Sequence, residues 1–292
     1  MSEGGGYKPE VKCCRAGRES EGLVVPMKPR ENPVEGRSPA LVAPSDGGKC
    51  EGMSARTNDP EDKVRELQRR LYVCAKQKGT RRFHALYALV RRGDVLAEAW
   101  KRVLANKGAA GVDGETLSMI EQAGVGEFLL EIQQRLQSGR YRPQPVRRRY
   151  IAKADGGKRP LGIPTVRDRV VQQATKIIIE PLFEADFKEC SYGFRPKRSA
   201  TDALEVIRVV GGRGHRYVVD GDIKSYFDTI DHGNLMELVK RRISDRRILK
   251  LVRQWLKAGV MEEGSVRHPV LGSPQGGEIT PRTQRVTSSS SV

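Results

Sequence analysis

"VVDGDIKSYFDTIDH", Val218 to His232, sets four aspartates in and just beyond a short apolar run. In "YVVDGDIKSYFD", Tyr217, Val219 and Gly221 alternate with Val218, Asp220 and Asp222, so a strand here carries both carboxylates on one face. Two such neighbours repel unless a cation or solvent lies between them. Magnesium suits the place, because it takes oxygen ligands and usually borrows only one or two carboxylates, with water and phosphate completing its shell. The alternative on this fragment alone is a solvated strand end, with Asp220 and Asp222 flanking a glycine. Asp228 and Asp231 read as a turn residue and a helix cap, since "TIDHGNLMELV" begins an amphipathic helix.

The acids stand out because the chain is basic: 53 Lys and Arg face 36 Asp and Glu, a formal net charge of +17 over 292 residues. Such a balance points to a polyanionic partner, because phosphate contacts by basic side chains dominate nucleic-acid affinity. The length suffices for one large domain or two ordinary ones. Cys13, Cys14, Cys50, Cys74 and Cys190 are scattered, odd in number and without His at metal-ligand spacing. They support neither a disulfide framework nor a zinc site, and they suit a reducing cytoplasm. No apolar run approaches a membrane span and the N-terminus lacks a secretory apolar core, so the chain is expected to be soluble, cytoplasmic and without a membrane partner.

Residues 1–57 are rich in Gly, Pro, Ser and charge without periodicity and are predicted to be a disordered tail, with Met53 a candidate start. Order is predicted from "NDPEDKVRELQRRLYVC", where Asp59 caps a helix, Pro60 suits its first turn, and Val64, Leu67, Leu71 and Cys74 share a face. A second helix is predicted after Asp94, and a third in "EFLLEIQQRLQSGRY", ended by Gly139, making 58–145 a helical extension. In "YRPQPVRRRYIAKADGGKRPLGIP", Asp155-Gly156-Gly157 is turn chemistry between two extended arms, a β-hairpin. Helix returns from Thr165 to Phe187. Ser199 with Asp202 reads as a capping box for a helix through Ala203, Val206, Ile207 and Val210. The strand "RYVVDGDI", two helices through Trp255 and a Gly-containing "VMEEGSVRHPVLGSPQGG" follow, making 146–281 part of an α+β fold. Residues 282–292 have no periodicity and are expected to be disordered.

The hairpin arms carry Arg147, Arg148, Arg149, Lys153, Lys158 and Arg159 around Tyr150, with only Asp155 opposing. Cations on a rigid hairpin can hold a triphosphate or a nucleic-acid backbone, and a solvated basic face is the bland alternative. "SYGFRPKRSA" joins Tyr192 and Phe194 to Arg195, Lys197 and Arg198, a blend suited to RNA by stacking and phosphate contact; its alternative is a connecting loop whose aromatics plug the core. "GSPQGG" offers close backbone approach and Gln275 for a base or sugar edge, or is an ordinary turn. His84, His215, His232 and His268 have no partner in register, and "NKGAAGVDG" lacks the ending of a phosphate loop.

In order, "RRFHALY", "NKGAAGVDG", "IAKADGGKRPLGIPTVRDRVVQQA", "EADFKECSYGFRPKRSATDAL", "YVVDGDIKSYFDTIDH" and "GSPQGG" resemble the reverse transcriptase/maturase proteins encoded by bacterial group II introns. The resemblance implies right-hand polymerase fingers and a partial palm behind a helical N-terminal extension. It implies RNA-directed DNA polymerisation with Mg2+, and as partners group II intron RNA, an RNA template with DNA primer, and deoxynucleoside triphosphates. By the same resemblance Asp222 is the first catalytic aspartate and a metal ligand, with the Ile223 carbonyl beside it. Lys153 and Arg159 hold the triphosphate, Phe227 is the gate beneath the sugar, and Gln275 with Gly276 contacts nucleotide and template. Asp220 matches no catalytic role, and Ala152 stands where the family usually has proline.

Polymerisation in this family uses two metals held also by a later Tyr-Ala-Asp-Asp hairpin, and no such sequence occurs here. The chain is therefore expected to be catalytically incomplete alone, with core faces of its partial palm uncovered and another chain or oligomer as a candidate to complete it. The alternatives are an intron-RNA-binding module without catalysis, or a non-functional product of a frameshifted gene.

Overall fold

The computed structural model describes residues 59–152, 156–215, 217–221, 223, 226–268 and 271–272, and the backbone of strand β1 (Lys12–Cys13). The chain forms two compact units, one of residues 1–57 and 211–221, the other of 58–210 and 222–292.

The larger unit opens with α1 (Pro60–Gln77), capped as its sequence predicts: the Asp59 carboxylate accepts from the Glu61 N–H and Pro60 occupies the first turn. Val64, Leu71 and Ala75 face inward. After α2 (Leu86–Val90), α3 (Gly93–Ala105) begins two residues earlier than its pattern suggests, because Arg92 takes the cap position and Asp94 the first turn. There Asp94 accepts from the Val95 N–H and from both prongs of Arg92, at 3.0 and 2.6 Å, which keeps its carboxyl below the usual range although burial works against this. Helices α4 (Leu117–Ala123) and α5 (Val125–Gln137) follow.

Two strands, β2 (Val146–Ala152) and β3 (Lys158–Ile163), form the expected hairpin. Helix α6 (Val166–Glu184) then runs through the middle of the core, buried on nearly every side although its sequence mixes apolar with polar residues, so that Asp168, Arg169, Gln172, Gln173 and Thr175 are buried with its aliphatic side chains. The loop before α4 packs on its start. A Cβ on Gly111 would lie 2.6 Å from the Thr165 backbone, so only glycine lets the two chains approach there. Helix α1 is tied to α6 by Gln68 to the Ile177 carbonyl and Lys76 to the Ala185 carbonyl.

Helix α7 (Ala200–Gly212) starts with the predicted reciprocal cap: Asp202 accepts from the Ser199 N–H and Ser199 from the Asp202 N–H. Its apolar side is bare, with Leu204 and Ile207 each 64% exposed and no residue buried. The predicted strand "RYVVDGDI" shortens to β4 (Val219–Asp220), antiparallel to β1, and its neighbours are not buried. Tyr217, Val218 and Val219 are 77%, 71% and 73% exposed. Apolar alternation specifies a face to be covered, and among the described residues nothing covers this one. Of the segment predicted as a disordered tail, only β1 is described; residues 282–292 lie outside the description.

The rest is α8 (Tyr226–Thr229), which absorbs Asp228; α9 (His232–Arg242), capped by Asp231 as predicted; α10 (Arg246–Lys257); β5 (Val260–Glu262); and β6 (Ser265–Arg267). The hairpin β5–β6 was not anticipated. Its two-residue loop puts Glu263 and Gly264 at φ 50° and 79°, the twist a tight hairpin needs, but with glutamate where glycine or asparagine would signal it. The sheet order is β3-β2-β5-β6, with β2 parallel to β5 and the other pairs antiparallel. Among the described residues no helix is long and apolar enough to cross a membrane.

Arg242 joins the two ends of this unit. Its side chain is 4% exposed and donates to the carbonyls of Ala75, Lys78, Gly79 and Arg81, the unpaired end of α1 and the turn after it, while Nε lies 2.8 Å from the Asp186 carboxylate. Arg242→Met keeps volume and removes every one of these donors. It is expected to lower stability by about 3 kcal/mol or more, read as a fall in the urea midpoint at unchanged slope. A midpoint within error of the parent would show that the clamp is dispensable.

Candidate nucleotide and nucleic-acid site

The β2–β3 register sorts the basic run into two faces. Arg147, Arg149 and Ile151 lie opposite Ile163, Leu161 and Arg159; Arg148, Tyr150 and Ala152 lie opposite Gly162, Pro160 and Lys158. Arg159 therefore shares a face with Arg147 and Arg149, while Lys158 sits with Arg148 and Tyr150. Arg149, Lys158 and Arg159 are exposed, Arg147 and Arg148 half-buried, and none forms an ion pair among the described residues. The Nε–H groups of Arg147 and Arg148 are buried without a hydrogen-bond partner. Each face of the hairpin thus carries unpaired cations that can meet an anion bringing several acceptor oxygens.

The hairpin is held at its base. Val146 pairs with Val260 and its N–H donates to the Gly259 carbonyl at 3.0 Å. Farther out, the Tyr150 hydroxyl bonds the Glu262 carboxylate, which raises the phenol's pKa. Lys153 lies outside the described residues.

A second cluster brings together two motifs far apart in sequence. Gly272, the first residue of "GSPQGG", donates its N–H to the Ile230 carbonyl at 2.8 Å, and its own carbonyl lies 2.6 Å from His232 Nε2, which donates to it in the tautomer this geometry requires. Its φ is +87°, and a Cβ there would stand 2.9 Å from the Phe227 carbonyl and 3.0 Å from that of Asp228. Glycine is thus required twice, by conformation and by contact. The "GSPQGG" motif therefore starts against the turn that carries Phe227. Phe227 is half-buried and meets Tyr226 edge-on at 5.8 Å. His232, which has no partner in the sequence pattern, is the residue that sequence reasoning missed; a histidine opening a helix right after a capping aspartate carries no signal of a bond forty positions away. Gln275 and Gly276 lie outside the described residues.

The third group is the loop before α7. Arg195 is nearly buried: it pairs with Glu184 at 2.7 Å, donates to the Lys188 and Ser191 carbonyls and lies over the Phe187 ring. Arg198 pairs with Glu189 and lies over Tyr192. These two arginines brace the loop. Lys197 and Phe194, both at positive φ, project outward, and Phe194 is 73% exposed. The loop thus presents one cation and one aromatic face.

Asp222 lies outside the described residues. Ile223 is exposed, and Asp220 belongs to the other compact unit. Among the described residues no three His, Cys, Asp or Glu side chains converge to hold a metal ion. The donor set that the sequence offers, one carboxylate and one backbone carbonyl, is all oxygen and fits a hard cation that keeps most of its shell as water and phosphate.

Residues 151–287 match the family described as "Reverse transcriptase (RNA-dependent DNA polymerase)". The chain is 42% identical over 224 residues to Protein YkfC of Escherichia coli (strain K12), covering 75% of this chain and 58% of that protein. It is 41% identical over 203 residues to the group II intron-encoded protein LtrA of Lactococcus lactis subsp. cremoris, covering 68% of this chain and 33% of LtrA. To the 91 kDa protein in the cob intron of Schizosaccharomyces pombe it is 37% identical over 170 residues, covering 58% of this chain and 20% of that one. The chain spans less than two thirds of the length of each of these relatives.

The Gly272 seat makes a local test possible. Gly272→Ala is expected to cost about 1–3 kcal/mol through strain and the carbonyl contact, and to speed amide exchange across 227–232 while α1 to α6 exchange as before. Unchanged exchange in that turn would mean that the two motifs are not docked.

Proposed function

The chain belongs to the reverse transcriptase family, among the group II intron-encoded proteins, and from that premise we propose that it carries the triphosphate- and RNA-holding part of an RNA-directed DNA polymerase. Its α+β fold fits polymerase fingers with part of a palm. The observation that carries the reading is the hairpin register, which gathers Arg147, Arg149 and Arg159 on one face with no acid among them.

In this reading Arg159 and Lys153 grip the incoming triphosphate by charge-assisted hydrogen bonds, with the arginines beside them setting the field. Phe227 lies beneath the sugar, where a ring leaves no room for a 2′-hydroxyl. Gln275 and Gly276 contact the nucleotide and the template strand. Asp222 and the Ile223 carbonyl would hold magnesium, which when bound neutralises phosphate charge as it develops. Intron RNA is met by Arg148, Lys158 and Lys197, with Arg195 and Arg198 keeping the last of these in position.

Titration of a fluorescent deoxynucleoside triphosphate into the full chain, with magnesium present, tests this. Arg159→Gln is expected to weaken binding tenfold or more, about 1.5–3 kcal/mol for a charged hydrogen-bonded contact, whereas Lys158→Gln on the opposite face leaves it within twofold. Equal losses from both would remove the two-faced reading. In primer extension on an RNA template the chain alone is expected to give little synthesis, since no Tyr-Ala-Asp-Asp sequence is present. Robust synthesis abolished by Asp222→Ala would overturn that expectation.

A further inference from the structure

Helix α10, "RRILKLVRQWLK", buries Ile248, Leu249, Leu251, Val252, Trp255 and Leu256 on one side and leaves Arg246, Arg247, Lys250, Arg253 and Lys257 exposed on the other. Arg246, Lys250, Arg253 and Lys257 recur at i, i+4, i+7 and i+11, so they form one stripe along the helix, about 16 Å long at 1.5 Å per residue. The helix contains no acid.

Several cationic side chains on the other long helices are instead paired with acids. Arg65 meets Glu61, Arg69 meets Glu66, Arg102 meets Glu98, Arg135 meets Glu131 and Arg208 meets Glu205, all within one turn. None of the five α10 cations forms an ion pair among the described residues. Their order also opposes the helix: Arg246 and Arg247 occupy the first turn, where the backbone dipole is positive, and Lys250 stands four residues from Arg246 and three from Arg253, where like charges repel. Stability alone would place acids at several of these positions.

Beside the stripe lies a cleft of about 200 Å³ lined by Tyr87, Gln137, Arg142, Arg247, Lys250 and Gln254. Arg247 is steadied over the Tyr87 ring at 5.5 Å, and Arg142 by the Gly139 and Tyr141 carbonyls. Three cations and two amides thus line this recess.

We infer that the exposed face of α10, with this cleft, is a second RNA-binding surface, separate from the hairpin, that holds the sugar-phosphate backbone of a folded RNA. A sugar-phosphate backbone repeats its charge along its length as the cations recur along α10, so the stripe can meet several phosphates of one strand. Backbone recognition of this kind reads shape and charge and fits structured RNA. The inference rests on the chain being an RNA-handling member of its family.

Arg246→Gln/Arg253→Gln/Lys257→Gln leaves Arg247 and Lys250 in place and removes three charges from the stripe. Binding of a labelled RNA hairpin to the full chain, followed over a salt series, is expected to weaken at least tenfold near 0.1 M salt, with the slope of log K against log salt reduced by roughly two to three. The charge-preserving Arg246→Lys/Arg253→Lys/Lys257→Arg variant should bind within threefold of the parent, and thermal melts of both should match it, which separates loss of charge from loss of fold. Parental affinity and slope in the glutamine variant would overturn the inference. Should Arg148→Gln/Lys158→Gln alone weaken binding, the hairpin reading stands without α10; should the parent fail to bind RNA at all, both fall. Binding of anionic vesicles or polyglutamate through the stripe, without RNA binding, would likewise overturn it.

Discussion

A single buried guanidinium ties the end of α9 to the end of α1 and the turn after it. Arg242 ends α9, and its donors take the carbonyls that α1 and the following turn leave open. Around it the chains are laced by backbone bonds: Phe83 N–H to the Arg242 carbonyl, Ser244 N–H to the Phe83 carbonyl, and Tyr87 N–H to the Asp245 carboxylate. Asp245 also caps α10. The direction of α10 is therefore decided at the junction with α1 and α2, and α10 leads directly through Gly259 into β5. Because β5 pairs with β2, the placement of the basic hairpin follows from a contact near residue 80.

The other side of the hairpin base has its own lock. Tyr141 donates to Asp168 at 2.6 Å, Trp255 Nε1 donates to the Tyr141 hydroxyl at 3.1 Å, and the Gln144 N–H reaches the second Asp168 oxygen. Burial pushes the Asp168 carboxyl above its usual range, and the bonds from Tyr141, Gln144 and Thr165 pull it back part of the way. Burial also raises the Tyr141 phenol, with the Asp168 charge adding to it. A carboxylate in such a place is tolerated only because each of its oxygens has a donor, and those donors come from the segment that enters β2. One core cluster accordingly joins α1–α6 to α9 and α10, across the point where the helical extension hands over to the hairpin.

What could be read from the sequence was local. Asp59, Asp231 and the Ser199–Asp202 pair are caps because a short polar side chain before an apolar period has one economical use, and the structure uses each so. The hairpin 146–163 was legible because glycines sit in its turn. The β5–β6 hairpin was not, since Glu263 takes a left-handed conformation that its identity does not announce. Long-range pairings were equally silent. Nothing in "KRRISDRR" marks Arg242 as the buried cation among five, and nothing in "SYGFRPKRSA" says that Arg195 turns inward to Glu184 while Lys197 turns outward. A basic run reports its charge, and only the fold divides it into braces and free groups.

That division explains how so basic a protein remains folded. The helices that pack around α6 carry several of their cations in pairs with acids one turn away, which lowers their share of the net repulsion. Among the described residues, cations without an ion pair include those of α10 and the hairpin, where the backbone beneath is tied down: α10 by its apolar face, the hairpin by β5 and the Asp168 lock. Unpaired charge on a floppy segment would simply move apart, and little of its repulsion would remain to be relieved by a ligand. On a rigid frame the repulsion persists until phosphates arrive, and binding then gains both the new contacts and the release of that strain. The rigidity below the cations is accordingly part of how this chain holds a polyanion.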